Sequence, residues 1–246
     1  MSPLDLSDLC EPMTPAIDAA VAALAARRHI LLIGKAGSGK TMLTARLAGC
    51  LPAQPAHEAR RLEYLRPIFG PRDWHTPEQA AGAEAALLEQ AARSAFRAPH
   101  HTVSYAGMLG AGGPPSKRPW RPGEVHLAHG GLLMLDEAEQ FSPAILEDLS
   151  ARLSQRPPEI EVAVVLATDP CRCRYRLTCA CTSEQRERHM ATLDGVVKRL
   201  NPVVIQMAQP TVDDLQGPRT RWTTAKALAV VAEARAASEP LAEARS

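Results

Sequence analysis

A chain of 246 residues can bury one full α/β core and leaves little room for a second domain of similar size. Apolar residues make up 46% and the formal net charge is only +1, so the composition is that of a soluble globular protein without an overall basic field for nucleic acid. Aromatic residues are only 4%, which argues against base stacking on many exposed rings.

The sequence also lacks signals for export or membrane insertion. No apolar run approaches the roughly 20 residues that span a bilayer. Residues 1–5 are acidic and lack the basic and apolar parts of a secretory signal. We therefore expect a cytoplasmic protein without a membrane partner, in which the six cysteines are better explained as reduced thiols or metal ligands than as disulfides.

The first part of the chain alternates helical and strand-like segments. Residues 1–13 resemble a loose leader, and an alanine-rich helix over 14–28 opens with a threonine and a proline that suit a helix start. The apolar run over 29–33 is typical of a buried strand, and helical character resumes over 41–51. Residues 53–77 are rich in proline and predict irregular structure.

The alternation continues through the second part. A helix is predicted over 78–93, and a dense set of glycines, prolines and histidines predicts a loop over 97–124. Apolar runs over 131–135 and 160–168 predict buried strands, with a helix over 143–153 between them. Strands that are apolar on both faces imply a mostly parallel sheet between two helix layers, an α/β three-layer αβα sandwich.

Residues 34–41 fit the phosphate-binding pattern G-x-x-x-x-G-K-[ST] in full, between a predicted strand and a predicted helix. The pattern predicts ATP binding by Gly34, Lys35, Ala36, Gly37, Ser38, Gly39, Lys40 and Thr41. Lys40 is expected to reach the β- and γ-phosphates, and the Thr41 hydroxyl to ligate Mg²⁺. A glycine-rich turn that matches by accident is the alternative, and the strand–loop–helix context argues against it.

Asp136 and Glu137 follow the predicted strand over 131–135. At the carboxyl end of a parallel strand, Asp136 would lie beside the phosphate-binding loop and hold the Mg²⁺ shell. Glu137 is then placed to orient and deprotonate the attacking water. Alone, an acidic strand end is often only a solvated terminus, but after a complete phosphate-binding loop the pair predicts an ATPase.

Three strings resemble the magnesium-chelatase-like AAA+ family, in particular its ComM/YifB-type members: HILLIGKAGSGKTMLTARLAGCLP, FRAPHHTVS and RPGEVHLAHGG. The resemblance covers roughly residues 15–205 and implies a P-loop AAA+ fold. It suggests an ATP-binding core over 14–208, with a cysteine-rich insert over 171–181 and a short C-terminal helical tail over 209–246. By the same resemblance, we expect the tail to be too short for the family's helical lid, and we expect the chain to lack the N-terminal domain of ComM-type proteins.

By the same resemblance, Arg199 matches an arginine of the family that acts in trans as an arginine finger on a neighbour's γ-phosphate. A trans-acting finger implies a homo- or hetero-oligomeric ring. The alternative is a solvated pair of Lys198 and Arg199 at a helix end.

Some positions depart from the family pattern. Asp169 stands where relatives have an asparagine, and a carboxylate there would repel the γ-phosphate and slow hydrolysis. The opposite hypothesis is that Asp169 holds Lys198, which replaces the family's aspartate, or Arg199 through a salt bridge. Between Leu149 and Ile160 the chain leaves no room for the family's β-hairpin, which helps relatives grip nucleic acid.

Four cysteines within eleven residues, Cys171, Cys173, Cys179 and Cys181, can close a tetrahedral Zn²⁺ site. Idle reduced thiols and disulfides remain alternatives. The flanking residues Arg172, Arg174, Tyr175 and Arg176 form either a basic patch for nucleic acid or a solvated rim. The adjacent His100 and His101 are interpreted as structural or loop-positioning residues rather than as ligands of a shared metal.

Two functions follow from these features. The leading prediction is an AAA+ ATPase core that couples hydrolysis of Mg-ATP to remodelling of an unknown partner. The alternative is an ATP-binding accessory subunit with poor hydrolysis, part of a chelatase-like or DNA-processing complex, which Asp169 favours. A helicase that remodels DNA rests on family analogy alone.

Overall fold

A computed structural model of the chain describes residues 4–53, 96–112, 120–155, 160–171, 173, 179 and 181–238. The predicted helix over 78–93 and most of the irregular segment over 53–77 lie outside these residues. So do Arg172, Arg174, Tyr175 and Arg176, for which the sequence leaves open a basic patch or a solvated rim. The family's hairpin is predicted to be missing between Leu149 and Ile160, and residues 156–159 of that stretch also lie outside the described part.

The described part contains one sheet of five parallel strands: β1 (Ile30–Gly34), β2 (Phe96–Arg97), β3 (Leu132–Leu135), β4 (Ala163–Thr168) and β5 (Val203–Met207). Their order is β2-β3-β4-β1-β5, and all four pairings are parallel. Strands β3 and β4 are buried on both faces, as continuous apolar runs predict. The predicted parallel sheet is confirmed.

Helices cover both faces of this sheet. The described helices are α1 (Thr14–Ala25), α2 (Lys40–Leu47), α3 (Tyr105–Leu109), α4 (Glu124–Leu127), α5 (Pro143–Ser154), α6 (Ser183–Ala191), α7 (Asp194–Leu200), α8 (Val212–Gln216) and α9 (Thr224–Ser238). Helices α1, α2 and α9 share one apolar core with the sheet, and α3, α4, α5 and α7 share a second core on the opposite face. The three-layer αβα prediction is therefore confirmed. Within the described ranges, no helix has both the length and the apolar character to cross a bilayer.

The amino-terminal segment is packed, so the expectation of a loose leader is wrong for the described residues before α1. Short 3₁₀ helices at Leu6–Asp8 and Glu11–Met13 bury apolar side chains against α2 and α9. The Leu9 carbonyl accepts a hydrogen bond from the Thr220 amide at 3.0 Å, and the Glu11 amide donates to the Pro218 carbonyl at 2.9 Å. These backbone bonds fasten the segment to the chain that precedes α9.

The loop prediction over 97–124 is also wrong in part. Phe96–Arg97 pairs with β3 as a two-residue edge strand, and two short helices, α3 and α4, follow it. Gly123 permits their close approach, since a Cβ there would lie 2.3 Å from the Gly110 amide nitrogen. Glycines that predict a loop therefore serve a tight helix–helix contact instead.

Candidate nucleotide-binding site and cysteine cluster

The phosphate-binding loop links β1 to the first turn of α2, as predicted from the sequence. Gly37 and Gly39 adopt left-handed conformations with φ of +80° and +85°, which glycine reaches without strain. A Cβ on Gly34 would lie 2.5 Å from the Ser38 Oγ, so the loop closes tightly on itself. Backbone amides of such a turn, together with a helix amino terminus, form a cradle for phosphate oxygens. The loop therefore fits a nucleotide phosphate.

Lys40 is nearly buried at the first position of α2, with 9% of its side chain exposed. Its Nζ donates to the carbonyl oxygens of Gly34 at 2.6 Å and Lys35 at 3.2 Å. The third acceptor is Asp169 Oδ1, at 2.8 Å. This ion pair was missed in the sequence, because 129 residues separate its two members.

The two predicted magnesium ligands lie in direct contact. The Thr41 hydroxyl donates to Asp136 Oδ2 at 2.8 Å, across the space between α2 and the end of β3. A hydroxyl and a carboxylate oxygen are hard ligands of the kind that Mg²⁺ takes in phosphate-binding sites. The chemistry of this donor pair therefore fits the ion.

Glu137 follows in a left-handed conformation, with φ of 49° and ψ of 51°. This region is uncommon for residues other than glycine, and such positions concentrate at functional sites. The Gln140 Nε2 donates to the Glu137 carboxylate, which keeps an acceptor group beside Asp136. Both carboxylates border the same cleft.

The cleft has a volume of about 590 Å³ and opens at the carboxyl ends of β1, β3 and β4. Its walls bring together the predicted residues Lys40, Thr41, Asp136, Glu137 and Asp169. His100 and His101, with ring centroids 4.0 Å apart, line the wall that follows β2. The sequence did not indicate that these two histidines line the cleft, because the segment that contains the end of strand β2 is interpreted there as a loop.

Asp169 follows β4 directly and is held through its backbone. Its carbonyl oxygen accepts a hydrogen bond from His189 Nε2 at 3.0 Å, and His189 is only 4% exposed. The hypothesis that Asp169 holds Lys198 or Arg199 is wrong, because its carboxylate pairs with Lys40 inside the cleft. Lys198 and Arg199 lie on α7, which ends where β5 begins. This is the amino-terminal end of the strands, whereas the cleft lies at their carboxyl ends.

Arg199 therefore lies outside the cleft of its own chain. Its guanidinium forms an exposed ion pair with Glu147 of α5, at 3.1 Å. Arg199 also borders a pocket at the amino-terminal ends of the strands, together with Arg27 and Arg28. From this edge of the sheet, Arg199 cannot assist chemistry at Lys40 within one subunit.

The two family strings downstream of the phosphate-binding loop meet in space. Arg97 of FRAPHH donates from Nε and Nη2 to both carboxylate oxygens of Glu124, at 2.6 and 2.8 Å. This bidentate hydrogen bond raises the pKa of Arg97. The pair ties β2 to α4 and so positions the wall that carries His100 and His101.

The four cysteines predicted to hold zinc converge, with all four Sγ atoms within 4.8 Å of one another. Cys171 lies 2.9 Å from Cys173 and 3.3 Å from Cys179, measured between sulfur atoms. Tetrahedral Zn–S bonds of about 2.3 Å would place the sulfur atoms about 3.8 Å apart, so the cluster has the size of such a site.

Protonation also differs within this cluster. Burial raises the pKa of the Cys171 thiol to about 12, whereas hydrogen bonding with Cys171 lowers the pKa of Cys179 to about 6. A thiolate is the form that binds a metal. The lowered pKa of Cys179 therefore favours its thiolate near neutral pH.

Comparisons with known proteins identify the family and the relatives of this chain. Residues 5–214 match the family model for magnesium chelatase, subunit ChlI. An uncharacterized protein of Mycobacterium tuberculosis (strain H37Rv) is 32% identical over 209 residues, which cover 79% of this chain and 38% of that protein. Competence protein ComM of Haemophilus influenzae is 33% identical over 147 residues, which cover 59% of this chain and 25% of ComM. The chain thus matches well under half of the length of these relatives.

Among solved structures, subunits BchI and BchD of magnesium chelatase in complex show a likeness with a TM-score of 0.47 and 16% identity. The match covers 85% of this chain and 63% of that one. The family match spans the phosphate-binding loop, the acidic pair after β3 and the cysteine cluster. The chain therefore belongs to the magnesium chelatase ChlI family of AAA+ proteins.

Proposed function

We propose that this chain is the nucleotide-binding core of an ATPase that works with Mg²⁺ and remodels a partner. The observation that carries the proposal is the cleft, where Lys40 lies beside the contact between Thr41 and Asp136. Phosphate groups need a cation and backbone amides, and Mg²⁺ needs oxygen ligands. Both sets of groups border this one cleft.

Each residue has a separate task in this proposal. Lys40 binds the phosphate oxygens, and Thr41 and Asp136 hold Mg²⁺, which neutralises phosphate charge when bound. Glu137 accepts the proton of the attacking water, since its carboxylate is the next group after Asp136 in the cleft wall. His100 and His101 line the wall of the same cleft that follows β2.

A direct test measures steady-state hydrolysis of ATP by the purified chain, with and without DNA, together with its oligomeric mass. Turnover that depends on Mg²⁺ supports the proposal. Stimulation by DNA would identify the partner class, whereas unchanged turnover would direct the search to proteins. Absence of both ATP binding and turnover would refute the proposed function.

Arg199 supplies the reason to propose an oligomeric ring. Arg199 lies at the amino-terminal ends of the strands, so it cannot act on the cleft of its own chain. Its ion pair with Glu147 is exposed, so the guanidinium is accessible to the cleft of a neighbouring subunit. We expect Arg199→Ala to lower turnover by about 1,000-fold while nucleotide binding stays within about twofold, because a finger stabilises charge that develops in the transition state.

Mixed subunits test this role. An Arg199→Ala subunit keeps its cleft, and a Glu137→Gln subunit keeps its finger, so mixing the two inactive variants should restore part of the turnover. Arg221→Ala is the matched control, because Arg221 also forms an exposed pair, with Asp18 at 2.8 Å. If Arg199→Ala alone retains full turnover, or if the mixture of the two inactive variants stays inactive, the finger assignment is wrong.

The cysteine cluster is proposed to hold a structural zinc ion. We expect about one zinc per chain in protein purified without chelators. Replacing Cys171 and Cys173 together with serine should remove it, as measured by metal analysis. Cys50→Ala serves as the control, because Cys50 is a buried thiol in the apolar core away from the cluster. A wild-type chain without zinc would contradict the prediction.

The second candidate is an ATP-binding accessory subunit with poor hydrolysis. A specific observation favours it, namely the ion pair between Lys40 and Asp169 in the cleft. A catalytic lysine engaged by a carboxylate is less available to the γ-phosphate. The turnover measurement above separates the two candidates, since binding with negligible turnover supports only the second.

A further inference from the structure

The cleft contains more acids than cations. Among the described residues that line it, Lys40 is the only lysine or arginine, whereas three carboxylates, Asp136, Glu137 and Asp169, share the lining. Asp136 contacts Thr41 and suits a magnesium ion, and Glu137 suits a catalytic base. Asp169 is the carboxylate that contacts Lys40 itself.

This contact is largely protected from water. The Nζ–Oδ1 distance is 2.8 Å, and the two side chains are only 9% and 20% exposed. In such surroundings an ion pair is screened less than on the surface, and a second anion brought to the same spot is repelled more strongly. Any phosphate that approaches Lys40 must therefore compete with Asp169.

The backbone of Asp169 is also held in place. The Asp169 carbonyl oxygen accepts from the buried His189, and the residue before it, Thr168, is 1% exposed at the end of β4. The Thr168 Oγ1 lies 2.8 Å from Glu139 Oε2, which adds a further anchor. Because these contacts hold the backbone of Asp169 at the end of β4, an anion that enters the cleft meets its carboxylate there.

The β- and γ-phosphates of ATP are expected to differ in how they compete with the Asp169 carboxylate for Lys40. A β-phosphate lies in the amide cradle of the loop, where Lys40 can contact it and keep its bond to Asp169. A γ-phosphate extends beyond the cradle towards the carboxyl ends of the strands, where Asp169 follows β4. Only the triphosphate thus brings an additional negative group against the carboxylate.

We propose that Asp169 sets the nucleotide preference of this site, so that the chain binds a nucleoside diphosphate more tightly than a triphosphate. The inference rests on the proposed nucleotide-binding function and names the ligand class that the cleft favours. The same preference retains the product ADP after hydrolysis. Asp169 is therefore a specificity-determining residue, which replaces the γ-phosphate as the anionic partner of Lys40.

Calorimetry with Mg²⁺ tests the preference, using ADP and a non-hydrolysable ATP analogue as probes. For the wild-type chain we expect ADP to bind about tenfold more tightly than the analogue. Asp169→Asn, which keeps the size and removes the charge, should tighten the analogue by about tenfold and ADP by less than about threefold. Asp213→Asn removes the same charge from exposed helix α8 and should leave both affinities unchanged.

The outcomes separate this inference from the function on which it depends. If both nucleotides bind and Asp169→Asn leaves their affinity ratio unchanged, Asp169 does not set the preference and the proposed function stands. An equal shift for both nucleotides shows a structural role and also overturns the inference. If neither nucleotide binds the wild-type chain, the proposed function fails and the inference fails with it.

Discussion

Lys40→Ala is expected to weaken nucleotide binding by about 100-fold or to abolish it. A charge-assisted hydrogen bond contributes about 1.5–3 kcal/mol, and in the proposed complex this one cation serves two phosphates. The described lining of the cleft offers no second lysine or arginine to compensate. Removal of Lys40 also leaves Asp169 unpaired beside the phosphates, which adds repulsion. Calorimetry with ADP and ATP measures the loss.

Two further variants keep this prediction testable. Lys40→Met retains most of the buried stem without its charge, and should also lose binding if the charge is responsible. Lys198→Ala removes an exposed lysine from α7, at the other edge of the sheet, and should bind as the wild type does. Melting curves identify variants that fail to fold. A folded Lys40→Ala chain with wild-type affinity would contradict the role given to the loop.

The fold was largely predictable because its central strands are apolar on both faces. Continuous runs predicted β1, β3 and β4 within a few residues of their observed bounds. Strand β5 was missed because it is an edge strand with alternating burial, on which Val204 is 51% exposed. Strand β2 was missed because a two-residue strand has no periodicity that a pattern could show.

Positions within the site were predictable where one local motif supplies them. The loop over 34–41 and the acidic pair after β3 are contiguous strings, and parallel strands bring their carboxyl ends to one edge of the sheet. Contacts between distant segments were not predictable. Arg97 and Glu124 meet through the packing of β2 and α4, which no single string encodes.

Asp169 shows the same limit most clearly. Its departure from the family pattern was visible in the sequence, and so was the charge conflict with a γ-phosphate. Its partner was not, because helix α2 and strand β4 bring Lys40 and Asp169 together only in the folded chain. The unusual residue is visible in the sequence, whereas its contact with Lys40 is visible only in the folded chain.

Glu137→Gln is expected to lower turnover by at least about 100-fold while nucleotide binding stays within about twofold of the wild type. The amide has the size of the carboxylate but cannot accept the proton of the attacking water, and general-base catalysis contributes about 10²–10⁴-fold to rate. Lys40, Thr41 and Asp136 are expected to keep their places, because Lys40 and Thr41 bond to other groups, and the bond that Asp136 Oδ1 accepts from Glu137 comes from the backbone amide, which the substitution leaves unchanged. Steady-state hydrolysis and calorimetry on the same preparation separate the two effects. Glu233→Gln, a matched change at an exposed position of helix α9, should leave both unchanged. If Glu137→Gln hydrolyses ATP at the wild-type rate, the base is another group, and the left-handed backbone at this residue serves the turn after β3 rather than catalysis.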